Sequence, residues 1–104
     1  MEIIRPFGPT VSLTKIPEDI IKKLNDYVDE VILDSKKQIE LDYGSKLAGN
    51  VKQEFLLSKE FCISSGWEKF LMQNAYEWIF KSSNKKISKF EIIDSWIVRQ
   101  FEND

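Results

Sequence analysis

The chain contains no histidine in its 104 residues, and that absence removes several chemistries at once. A two-histidine-one-carboxylate iron site cannot be assembled from these side chains alone. Neither can a serine–histidine–aspartate triad or the zinc site of an HExxH helix. The single cysteine, Cys62, rules out an internal disulfide and a zinc cluster. Set between Phe61 and Ile63 with no base at hand, it reads as a buried structural thiol rather than a nucleophile. A reducing compartment is expected. Charge of one sign is also missing. The 15 basic and 17 acidic residues leave a net charge of −2, which gives no field to draw in nucleic acid or an anionic membrane. The opening Met1-Glu2-Ile3-Ile4-Arg5-Pro6 lacks the pattern of a signal peptide. No apolar run approaches the ~18 residues that span a bilayer. A cytoplasmic location is expected.

What is present is a globular composition, 42% hydrophobic and 31% charged, with 7 Phe, 3 Tyr and 3 Trp. One domain over residues 1–104 is expected, with enough aromatic mass for a core. Residues 2–5 and 10–14 read as short strands, separated by a turn at Pro6, Gly8 and Pro9. Pro17 suits a first helical position, and Glu18 and Asp19 suit the positive end of the helix dipole. Ile20, Ile21, Leu24, Tyr27, Val28, Val31 and Ile32 then recur at helical spacing. This helix is expected to end between Leu33 and Leu41, with Tyr43-Gly44-Ser45 as a stop. Residues 44–50 read as a loop and Val51–Leu57 as a strand. Ser65-Gly66-Trp67-Glu68 fits a capping box. It opens a second helix that gathers Trp67, Phe70, Leu71, Ala75, Trp78 and Ile79 and ends at Lys81-Ser82-Ser83-Asn84. Residues 87–101 alternate and predict one long strand, or two with a bend at Asp94-Ser95. Phe90, Ile92, Asp94, Trp96, Val98 and Gln100 share one face, and Ile97, Arg99 and Phe101 lie on the other. The fold class is therefore α+β, with two amphipathic helices on a small, mostly antiparallel sheet. A final strand carrying Trp96, Ile97, Val98 and Phe101 invites a partner strand.

Few motifs carry chemistry. Gly44-Ser45-Lys46 lacks the leading glycine and spacing of a phosphate loop. Asp26, Glu30 and Asp34 recur every four residues and could hold a hard cation. A solvated polar face is the preferred reading, since no shaped loop accompanies them. Lys81, Lys85, Lys86 and Lys89 surround a turn that lacks the interleaved aromatics of a single-strand binder. Trp67 and Trp78 belong to a core stripe. Trp96, Arg99 and Gln100 form an aromatic–cation–amide set, a pocket lining or a docking strand in one reading and ordinary sheet residues in the other.

Two segments, Pro6-Phe7-Gly8-Pro9-Thr10 and Asp94-Ser95-Trp96-Ile97-Val98-Arg99-Gln100-Phe101, resemble a family of 2-oxoglutarate- and iron(II)-dependent oxygenases common in marine viruses and bacteria. The Gln53-Glu54 strand after a glycine-containing loop and the tryptophan-rich helix fit as well. The resemblance implies that this chain is the N-terminal, non-catalytic part of a double-stranded β-helix (jelly-roll) fold. In the family a tryptophan-containing strand leads into a His-x-His or His-x-Asp motif that begins the iron site. A later histidine and a basic residue complete iron and 2-oxoglutarate binding. Those residues would lie beyond Asp104, so no catalytic, cofactor-binding or metal residue carries over to this chain. Trp96 matches the family tryptophan. Val98 and Gln100 fall at positions near the pocket entrance where small polar residues are common, and Val98 departs from that pattern. The resemblance also implies the host cytoplasm, if the source is viral. A different class of reading is a complete interaction module that pairs with a partner, or with a second copy, through its final strand.

Overall fold

The computed structural model describes residues 1–5, 10–43, 53–86 and 89–101. Eight elements follow one another: β1 (Glu2–Ile4), β2 (Val11–Leu13), α1 (Glu18–Ile32), α2 (Ser35–Leu41), β3 (Gln53–Leu56), α3 (Lys59–Ser64), α4 (Trp67–Ser83) and β4 (Trp96–Arg99). The class is α+β, as expected. Among the described residues there are four helices rather than two. The strands form two separate antiparallel pairs, β1–β2 and β3–β4, rather than one sheet.

The N-terminal strands pair as expected, with Ile3 opposite Ser12. The turn expected at Pro6–Pro9 lies outside the described residues. Pro17 is the residue before α1 rather than its first residue, and its carbonyl accepts from the Ile20 and Ile21 amides at 3.1 Å. The α1 stripe holds at Ile20, Val28 and Val31, which are buried, while Ile21 stays exposed. The helix ends at the near limit of the expected range, with Leu33 as its C-cap. It breaks at Leu33, and the Asp34 side chain accepts from the Lys36 and Lys37 amides at 3.0 and 3.3 Å to start α2. An aspartate capping the next helix is a better stop signal than the glycine at position 44.

Three further expectations are corrected. A short helix, α3, fills the gap after β3, with the Ser58 hydroxyl accepting from the Phe61 amide at 3.2 Å. The Ser65–Glu68 capping box does not form. Ser65 closes α3, and its oxygen meets the Trp67 amide at 3.3 Å, two residues on rather than three. Gly66, in the left-handed region at φ 83°, makes the corner into α4. Of the long strand expected over 87–101, the described residues 89–101 keep only Trp96–Arg99, and residues 89–95 carry no regular structure. The reason is partner length. The β3 strand ends at Leu56 and the chain turns into α3, so residues before Ser95 have no ladder to join.

The core is the seam between α1 and the β3–β4 sheet. Val28, Val31 and Phe55 are buried there, with Tyr27, Ile32, Leu41 and Ile97 packed around them. Ile20, Leu57 and Cys62 are buried beside it. Helix α4 packs on α3 and β1, and none of its side chains is fully buried. The radius of gyration is 16.0 Å and the extents are 47 × 30 × 25 Å, against ~13 Å for a compact domain of this length. No helix among the described residues is long and apolar enough to cross a membrane.

Candidate functional site: the outer edge of β4

The register of β3–β4 sets Phe55 opposite Ile97, Leu56 opposite Trp96 and Gln53 opposite Arg99. The Leu57 amide donates to the Ser95 carbonyl at 2.8 Å. In an antiparallel ladder such hydrogen-bonded pairs alternate with non-bonded ones. Ser95, Ile97 and Arg99 therefore turn their backbone groups toward β3. Trp96 and Val98 turn theirs to the outer edge. The same alternation points the Glu54 and Leu56 carbonyls to the opposite edge of β3, and there both are taken. The Tyr43 amide donates to Glu54 at 2.9 Å, and the Tyr27 hydroxyl donates to Leu56 at 2.9 Å. Asp42 and Phe55 form a bridge alongside. One edge of this sheet is covered. The other, at Trp96 and Val98, has no partner strand among the described residues.

The three residues singled out from the sequence are all at this strand, but they do not converge. Trp96 is 43% exposed and stacks on Tyr43, with ring centroids 4.9 Å apart. Arg99 points the other way, toward α1. Its Nη1 contacts Asp29 Oδ1 at 2.9 Å, and its Nη2 reaches the Asn25 carbonyl and Oδ1 at 3.4 Å each. Gln100 follows the strand and is exposed. The cation is committed to a helix, so Trp96 and Arg99 serve opposite faces of one strand.

A small cleft of about 220 Å³ lies between the β3–α3 turn, α3, the start of α4 and residues 91–95. Leu57, Cys62, Trp67 and Ile92 line it, and Glu68 and Asp94 stand among its polar residues. Burial pushes the Cys62 thiol up from its ordinary pKa, and the Glu68 charge adds to the effect. The thiol is therefore held protonated at neutral pH, consistent with a structural role. The cleft was not foreseen, because its walls come from separate segments with no shared periodicity.

The remaining sequence candidates find ordinary roles. Asp26 pairs with Lys22 at 2.8 Å and Asp34 caps α2, which divides the acidic series. Among the described residues no group of acidic, histidine or cysteine side chains is placed to hold a metal ion. Lys81 pairs with Glu77 at 2.7 Å, and Lys85, Lys86 and Lys89 are exposed. Gly44-Ser45-Lys46 lies outside the described residues. Iron(II) of the kind the resemblance implies does not fit the residues present, because the chain has no imidazole to offer. No catalytic step is assigned to it. Comparison with family models, with curated proteins and with solved structures finds no match to the chain in any of the three.

Proposed function

We propose that this chain is the N-terminal, non-catalytic segment of a 2-oxoglutarate- and iron(II)-dependent oxygenase, and that β4 is the strand through which it joins the catalytic β-helix. The observation that carries the reading is the state of β4. The segment Asp94–Phe101, one of the two that resemble the family, contributes a strand whose outer edge has backbone donors and acceptors but, among the described residues, no strand beside it. Within a jelly roll that edge would take the next strand. The thin core and the 16.0 Å radius of gyration also fit a segment that completes its packing against more protein. Whole enzymes of the family couple decarboxylation of 2-oxoglutarate to hydroxylation of a substrate, and the iron and 2-oxoglutarate ligands would all lie beyond Asp104.

Sequencing the source DNA past the Asp104 codon tests the reading. An open frame that runs into His-x-His or His-x-Asp supports it, and the lengthened protein is then expected to convert 2-oxoglutarate to succinate with iron(II). A stop codon there, or turnover by residues 1–104 alone, overturns it. The competing reading is an interaction module that takes up a strand from another molecule at the same edge. It draws on Arg99, whose ion pair with Asp29 commits this cation to α1 rather than to repelling a second strand.

A further inference from the structure

We propose that the cleft between α3, α4 and residues 91–95 binds a small organic amine, with its ammonium among Glu68, Glu91 and Asp94 and its hydrocarbon body against Leu57, Trp67 and Ile92. This site is separate from the outer edge of β4, on which the oxygenase reading rests. The wall made by residues 91–95 has no regular structure, yet it is pinned at both ends. Phe90 packs on Tyr76 of α4 with ring centroids 4.6 Å apart, and the Ser95 carbonyl accepts from the Leu57 amide at 2.8 Å. Between the two pins lies a space of about 220 Å³. That is below the ~300 Å³ at which pockets for drug-sized ligands begin, so a single ring or a short chain is the size that fits. Leu57, Cys62 and Ile92 give the cleft apolar walls, and Ile63 and Ile93 add apolar surface that is 68% and 79% exposed. Trp67 Nε1 is buried and unpaired, so the indole shows the cleft carbon rather than its donor. Three carboxylates, Glu68, Glu91 and Asp94, stand against the one ammonium of Lys59. None of the three has an ion-pair partner among the described residues, whereas Asp26, Asp29 and Glu77 each have one. The Glu68 charge acts on the Cys62 thiol in the apolar wall, which places it at the cleft itself. Excess negative charge beside apolar surface selects a ligand that is positive at one end and apolar at the other.

Titration of the chain with phenethylamine, followed by tryptophan emission and by calorimetry, is expected to saturate with a Kd on the order of 1 mM, the range open to so few atoms. Added salt should weaken it. The neutral analogue 2-phenylethanol is expected to bind about fivefold more weakly, the worth of one charge pair facing water, and phenylacetate not at all. Glu91 and Asp94 are exposed, so Glu91→Gln and Asp94→Asn leave the fold intact. The double variant is expected to lose about fivefold in affinity for the amine and nothing for the alcohol. Glu30→Gln, which removes an equally exposed acid from α1, is expected to change neither. Failure to saturate, equal binding of amine and alcohol, or an equal loss in Glu30→Gln would each overturn the site. None of these results bears on the oxygenase reading, which stands or falls on the residues beyond Asp104.

Discussion

The Tyr27 hydroxyl joins three parts of the molecule with one oxygen. It donates to the Leu56 carbonyl at 2.9 Å and accepts from the Ser58 amide at 3.2 Å, tying α1 to the end of β3 and the start of α3. Tyr27→Phe keeps the ring tilted against Phe61, 4.3 Å away, and strands both backbone groups. It should cost about 1–3 kcal/mol, read as a lower urea midpoint with an unchanged slope. Arg99 and Asp29 are more exposed, at 27% and 61% of their side chains, so water screens the pair. A double-mutant cycle of Arg99→Ala and Asp29→Asn should give a coupling of about 0.2–1 kcal/mol that shrinks in high salt. The Cys62 thiol carries a pH effect. Its folded pKa is raised, so the unfolded chain loses this proton first as pH climbs. Stability from this group is full below the unfolded value of about 8.5 and is lost as pH rises from there through the folded value. Comparing unfolding at pH 7.5 and in that higher window checks it, and Cys62→Ala should flatten the difference. At this scale the sequence was readable for roles that depend on one side chain, such as the inert thiol. It was silent on pairings. Nothing in the letters joins Arg99 to an aspartate 70 residues earlier.

At the scale of elements, α1 was legible because Ile20, Val28 and Val31 repeat at helical spacing over about three turns. Its break was not, because Ile39 and Leu41 continue the apolar series on the far side and Asp34 looks like any surface acid until its oxygen meets two amides. Ile39 in fact stays 80% exposed. Helix α3, six residues long, is too short for any periodicity to emerge. Gly66 marks the corner that the capping-box reading missed. At φ 83° it occupies a conformation that a side chain resists, although an added Cβ would find Ile20 only at an ordinary 3.7 Å. Gly66→Ala should therefore cost about 1–2 kcal/mol from backbone strain rather than from a clash. Thermal unfolding measures it, and an unchanged midpoint would show that the α3–α4 corner relaxes freely. For β4, the alternation of faces over Trp96–Arg99 was right, with Ile97 inward and Val98 outward. Its length was wrong, because a strand extends only as far as its neighbour does.

For the whole molecule, stability depends on few side chains. Phe55 is 5% exposed and sits where α1, β3 and β4 meet. Phe55→Ala should cost about 3–5 kcal/mol, a large part of the ~5–15 kcal/mol that holds a typical domain. Loss of near-ultraviolet circular dichroism at 25 °C is the expected sign, and a native-like spectrum would mean that the core lies elsewhere. The α+β class was legible from the alternation of periodicities. The division into two small sheets was not, because strand pairing is decided by distant neighbours.

The placement of the core has one more consequence, and it concerns synthesis. Val28 and Val31 leave the ribosome well before Ile97, which helps to cover them. At ~5–20 residues per second, the apolar stripe of α1 waits roughly 3–13 s for its lid. During that interval the nascent chain presents a greasy helix to its surroundings, and chaperones that sample emerging polypeptides would meet it before β4 does.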